Sequence, residues 1–95
     1  MPRVDVQSRV LGDGWSCDVT VAGATRTTHR VRVSADEHRR HGGGDINALV
    51  SGAFDFLLAR EPNTSILREF TFGDIERYFP EFASFRGPSE PAARG

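Results

Sequence analysis

Lysine is absent from this chain of 95 residues, and its twelve basic residues are all arginine. The absence excludes a lysine Schiff base, a lysine general base and a phosphate loop of the Walker A type, because each requires a lysine amine. Arginine makes bidentate contacts that lysine cannot make, but exclusive use of arginine is also what a GC-rich genome produces. We interpret the missing lysines as composition bias.

Cysteine and long apolar runs are scarce as well. Cys17 is the single cysteine, so the chain cannot form an internal disulfide. No stretch approaches the roughly 18 apolar residues of a membrane-spanning helix. Residues 1–5 already alternate charged and apolar side chains, where a signal peptide needs an apolar run. We therefore expect a cytoplasmic protein that makes no use of a membrane.

The composition favours one small globular domain. Hydrophobic residues make up 38% of the chain and charged residues 26%, and the formal net charge is −1, values typical of a soluble fold without a strongly basic surface. From Gly87 onward the chain is rich in glycine and proline and offers no large apolar side chain. We predict a single domain over residues 1–86 and a disordered tail over residues 87–95.

Apolar and polar residues alternate with period two through the first third of the chain, which predicts half-buried strands. Gly12-Asp13 provides the backbone freedom of a two-residue hairpin loop, and a second break follows at residues 22–25. Matching the apolar faces sets the register, with Asp18 between Gln7 and Arg30 at the centre of the polar face. On the apolar face the same register pairs Val10 with Trp15, Val6 with Val19, Val4 with Val21, and Val19 with His29.

The rest of the sequence predicts helices. Ser34 and Glu37 have the spacing of a capping box, which predicts a short helix from about Ala35 to His41 that ends at Gly42–Gly44. Asp45 is expected to cap the main helix, whose apolar residues recur with helical spacing: Ile46, Leu49, Val50, Ala53, Phe54, Leu57 and Leu58.

Two further helical segments are predicted after Pro62, which ends the main helix. Asn63 or Ser65 caps a turn that carries Ile66, Leu67 and Phe70, and Thr71 caps a last helix that ends at Pro80. The fold class predicted is α+β, a three-stranded antiparallel meander followed by helices packed on one face, in the order β-β-β-α-α-α.

The segments Phe54–Phe70 and Ile75–Glu81 resemble the C-terminal part of a group of short uncharacterised bacterial proteins that share an ending of the form FLLxREPxxSIL…YFPE. The resemblance covers roughly a third of the chain. It implies a self-contained bacterial domain of unknown function, and it brings no catalytic residues with it.

Metal and anion sites are weakly indicated. Cys17, His29, His38 and His41 include the right ligand types for zinc, but two of them lie mid-strand with inward-facing side chains, and four closed ligands are not apparent. The run Gly42–Gly44 before a helix suggests an anion site, yet the carboxylate of Asp45 would occupy the free amides and repel a phosphate. We expect neither a metal ion nor a cofactor.

The polar face of the predicted sheet is rich in arginine and gives an alternative function, nucleic-acid or anion binding. Its arginines can follow a phosphodiester backbone, but no aromatic residue lies among them to stack on bases, and Asp5 and Asp18 provide ion pairs that explain the pattern without a ligand. The arginines of this face are Arg3, Arg9, Arg26, Arg30 and Arg32.

Aromatic residues near the C-terminus indicate a binding surface. Phe82 and Phe85 lie beyond the helix-ending Pro80, and if they are exposed they form with Tyr78 an apolar docking patch. No serine, cysteine or carboxylate pair has the setting of a catalytic group. We therefore predict a non-enzymatic protein-interaction or accessory module, able to self-associate, that uses Tyr78, Phe82 and Phe85 or an exposed sheet edge.

Overall fold

The computed structural model describes residues 3–86; residues 1–2 and the predicted disordered tail over 87–95 lie outside the described residues. The four strands are β1 (Arg3–Leu11), β2 (Gly14–Ala22), β3 (Arg26–Val33) and β4 (Glu69–Thr71), and the three α-helices are α1 (Ala35–Arg40), α2 (Ile46–Leu58) and α3 (Phe72–Tyr78). Two short 3₁₀ turns cover Asn63–Ser65 and Pro80–Ser84. The fold is α+β, as predicted.

The meander of β1, β2 and β3 has the predicted register. Gln7 pairs with Asp18 and Asp18 with Arg30, and on the other face Val10 pairs with Trp15. Gly12 has a φ of 64° and no other residue of the loop has a positive φ, as in the hairpin turn that places glycine first. The valines of β2 and β3 are thereby all directed into the core.

The fourth strand was not predicted. β4 pairs in parallel with β3, Phe70 lying beside Val31, and the sheet order is β1-β2-β3-β4. The helical turn expected for Ile66, Leu67 and Phe70 is wrong, because the chain becomes extended at Ile66 after the 3₁₀ turn. An extended chain satisfies the edge of β3, where the amide of Arg30 donates to the carbonyl oxygen of Arg68.

Each helix begins at its predicted cap. Ser34 and Glu37 form a capping box on α1, Asp45 accepts a hydrogen bond from the amide of Ala48 at 2.8 Å, and Thr71 caps α3. Glycines 42–44 between α1 and α2 all have positive φ, a conformation that other residues adopt at a cost. None of the helices within residues 3–86 has the length and apolar character needed to cross a bilayer.

The core lies between one face of the sheet and the helices. Strand β2 supplies its centre, since Cys17, Val19 and Val21 are fully buried, whereas β1 has no buried residue at all. The opposite face of the sheet carries the arginines. The helices contribute Leu49, Val50, Ala53, Phe54, Leu57, Phe72 and Ile75 to the core.

Gly14 tests the close contact between the hairpin and the end of β3. A methyl group there would overlap the carbonyl oxygen of Val33 and lie 3.0 Å from the Cα of Ser34, so Gly14→Ala should lower the free energy of unfolding by about 1–3 kcal/mol. Gly12→Asn is the control, because asparagine tolerates positive φ and its Cβ meets open space. Urea unfolding followed by Trp15 fluorescence measures both, and equal losses in the two variants would contradict the packing argument.

Candidate functional site

The C-terminal aromatic residues do not form the exposed patch that the sequence suggested. Phe82 is fully buried and Phe85 is half-buried, their rings stacked with centroids 5.0 Å apart. Both pack on Phe56 of α2. In a domain of this size the core needs every large side chain it can bury, and these two phenylalanines close it.

His41 anchors this segment. Its ring is 1% exposed and lies between Phe72 and Phe82. Nδ1 lies 2.8 Å from the carbonyl oxygen of Phe85, and because a carbonyl only accepts, Nδ1 carries the proton. The bond joins the residue after α1 to the end of the described chain.

Arg60 holds the same segment from the other side. Its guanidinium lies 3.6 Å from the centre of the Phe56 ring and bonds the Glu81 carboxylate at 3.2 Å. A backbone hydrogen bond and this contact with Arg60 lower the pKa of Glu81 below its usual value. The C-terminal 3₁₀ turn is thus a structural lid on the core.

Tyr78 is exposed, as a binding residue must be, and it lies on the rim of an apolar groove. The groove has a volume of about 310 Å³ and runs between the end of α2, the segment before β4, and α3. Tyr78 is 66% exposed and Leu67, which also lines the groove, is 47% exposed. The floor consists of buried side chains from all three elements: Leu57, Ile66, Phe70 and Ile75.

The polar groups of the groove are acidic or hydroxylic. Glu61 and Asp74 line it together with Ser65. One oxygen of Asp74 accepts from the amide of Thr71 at 3.0 Å, and within residues 3–86 no cation lies within ion-pair distance of Glu61. The groove can therefore receive an apolar group that carries a positive charge beside it.

A chain of hydrogen bonds positions the segment that lines the groove. The side-chain amide of Asn63 donates to Thr27 Oγ1 at 2.9 Å, and Thr27 Oγ1 lies 2.9 Å from Nε2 of the buried His29. The other ring nitrogen of His29 lies 2.7 Å from the carbonyl oxygen of Leu67. Because each group satisfies the next, the backbone at Leu67 is held against β3 while its side chain stays exposed.

The arginine face is partly neutralised from within. Asp18 lies 3.1 Å from Arg30 and 3.6 Å from Arg9, and Arg3 lies 3.9 Å from Asp5. The two remaining arginines of the predicted set, Arg26 and Arg32, are exposed and have no ion-pair partner in the part of the chain that the structure describes.

The histidines and the cysteine lie in separate places. His38 bonds the carbonyl of Gly44 at 2.8 Å and packs on Trp15, whereas His29 and His41 are engaged as described above. Over residues 3–86 no group of three histidine, cysteine or acidic side chains is arranged to hold a metal ion. The amides after Gly42–Gly44 are capped by Asp45, which leaves this loop a connector.

Comparison with known proteins added nothing to this description: no family model, no curated protein and no solved structure matched the chain. The candidate site therefore rests on geometry alone. Sequence reasoning missed Leu67 and Glu61. The signal that could have pointed to Glu61 is its position immediately before the helix-ending Pro62, where the end of α2 leaves a corner beside the following segment.

Cys17 should be an unreactive thiol. Burial, and secondarily the charge of Asp18, raise its pKa from 9.0 to about 11, and only the thiolate is a nucleophile. A disulfide reagent at about pH 8 should modify the native protein at least roughly tenfold more slowly than the urea-unfolded protein. Equally fast labelling of the two forms would show that β2 is open.

The same shift gives a stability dependence with a definite sign. The folded state keeps the Cys17 proton up to about pH 11 and the unfolded state loses it near 9, so the folded state binds more protons in this window. The free energy of unfolding should fall as the pH rises from about 9 to 11, and Cys17→Ala should flatten that fall in urea titrations.

Proposed function

We propose that this domain is a non-enzymatic protein-interaction module that binds a partner segment in the groove beside Tyr78. The observation that carries the proposal is the pairing of two exposed apolar side chains, Leu67 and Tyr78, with a buried apolar floor. Exposed apolar groups that converge on a concave surface are typical of recognition sites. Tyr78 is the member of the predicted binding set that has this position.

The chemistry of the groove selects the partner. Glu61 and Asp74 lie at an apolar site, and residues 42–95 hold eight acidic residues against five arginines. A segment with one large apolar side chain flanked by arginine or lysine complements both features, because its apolar group fills the floor while its charges meet the rim.

A set of short synthetic peptides tests this proposal. Each peptide carries a central leucine or phenylalanine flanked by arginine, serine or glutamate, and binding is measured by nitrogen–proton chemical-shift titration. The arginine-flanked peptides should bind most tightly and shift the amides of residues around Leu67 and Tyr78. Tyr78→Ser should weaken their binding by about fivefold or more, as expected for an aromatic anchor.

Two further variants sharpen the result. Glu61→Gln should weaken only the arginine-flanked peptides, by about two- to threefold, because an exposed ion pair contributes little. Leu11→Ser removes a side chain of comparable exposure far from the groove and should change nothing. Equal affinity for all three flanking types, or binding that survives Tyr78→Ser, would refute the proposal.

Nucleic-acid binding by the arginine face is the second candidate, and the observation that favours it is the lack of an ion-pair partner for Arg26 and Arg32 among the described residues. The charges of Arg9 and Arg30 are shared with Asp18, and the face has no aromatic platform. The groove is favoured because its apolar surface has no such internal compensation.

Opposite responses of charge variants test the alternative. If the face binds phosphates, fluorescence anisotropy with labelled DNA and RNA should show affinity that falls steeply with salt. Arg30→Ala and Arg32→Ala should then weaken binding, and Asp18→Asn should strengthen it by freeing two arginines. Arg77→Ala on α3 is the control for loss of an exposed arginine, and flat anisotropy at low salt would eliminate this function.

A further inference from the structure

The outer edge of β1 is an unusually open feature of this fold. β1 is the first strand of the sheet, and within residues 3–86 no other strand pairs with its outer edge. Natural edge strands are usually protected by proline, by a bulge, by an inward-facing charge or by brevity. β1 has nine residues in uninterrupted register and no proline, and its inward-facing side chains are Val4, Val6, Ser8 and Val10.

The backbone groups on this edge are available for pairing. Antiparallel ladders alternate between residues that bond the neighbouring strand and residues that face away, and Leu11 closes the hairpin with Gly14. The amides and carbonyls of the even-numbered residues are therefore directed to the free edge. Their side chains are poorly covered as well, since Val10 is 74% exposed.

We propose that β1 pairs with β1 of a second copy of this chain, antiparallel and centred on Gln7, to form a two-fold symmetric dimer with a continuous eight-stranded sheet. Strand addition at an open edge uses main-chain hydrogen bonds, with side-chain complementarity selecting the partner. In a two-fold interface each contact occurs twice. This proposal does not depend on the groove.

Charge complementarity identifies the occupant as a second copy in this register. Around Gln7, Asp5 of each chain lies opposite Arg9 of the other, and Val4 lies opposite Val10 of the other. The side chains of Asp5 and Arg9 are 61% and 62% exposed, so both can reach across the edge. The arrangement places two opposite-charge pairs on the outer face and two valine pairs on the inner face.

The other in-register arrangements are less favourable. Keeping the apolar faces together requires an even shift, since an odd shift turns every side chain over. Centring on Val6 places Arg3 opposite Arg9 of the other copy, twice, and centring on Asp5 or Arg9 places like charges against each other on the axis. Centring on Ser8 leaves Asp5 opposite Leu11. The pairing centred on Gln7 is therefore the one that the charges of β1 select.

Cysteine crosslinking tests the register. Gln7→Cys places two thiols directly opposite each other on the axis, within disulfide range, whereas Leu11→Cys on the same face places them about 27 Å apart. Under mild oxidation, Gln7→Cys should give a covalent dimer at low protein concentration and Leu11→Cys should not. The native Cys17 is buried and does not interfere. Crosslinking of both variants at equal rates would indicate random collision and overturn the proposal.

A charge exchange tests the interface itself. By light scattering or sedimentation the wild type should be a dimer, and Arg9→Asp should raise the dimer dissociation constant by about tenfold, since two attractive pairs become repulsive. The double variant Asp5→Arg with Arg9→Asp should restore the affinity. Both variants lose the Arg9–Asp18 contact equally, so their comparison isolates the contact between copies.

Three outcomes overturn the dimer: a monomer at every concentration, a dimer that the charge variants do not affect, or a double variant that is no better than Arg9→Asp. Thermal unfolding of each variant verifies that it is folded. Tyr78→Ser should remain a dimer, which separates failure of this interface from failure of the peptide-binding groove.

Discussion

A two-residue loop at Gly12-Asp13 sets the pairing of β1 with β2, and the distribution of side chains between the two faces of the sheet follows from that pairing. A slip of one residue would bring Asp18 into the core and expose Cys17 and Val19. In the observed register Asp18 instead lies between Arg9 and Arg30 on the open face. The same loop thus determines how the core is filled and how far the arginine face is neutralised.

The second half of the chain closes the core that the meander leaves open. β4 satisfies the edge of β3, and His41 and Arg60 hold the last aromatic segment against α2. Small domains have little apolar surface to spare, so aromatic residues late in the sequence are drawn inward. What remains exposed is Tyr78, on the side of α3 that faces the groove.

Period-two alternation and loop length were sufficient to predict the meander and its register, because each strand buries one face and a single shift reverses it. The caps at Ser34, Asp45 and Thr71 were also predictable, since they depend on local hydrogen bonds. β4 was not, because three residues carry too little periodicity and its pairing depends on a strand more than thirty residues away. The groove was missed for the same reason, as it forms only where β4, α2 and α3 meet.

The two edges of the sheet differ in a way that relates the two proposed surfaces. β4 is short and borders the groove through Phe70, whereas β1 is long and open. Pairing through β1 would leave both grooves at the outer ends of one eight-stranded sheet, with their β4 strands about 34 Å apart at ordinary strand spacing. Self-association and partner binding then use surfaces that do not compete. A dimer with two weak grooves gains avidity for a partner that repeats its binding segment, provided that the intervening chain can span that distance.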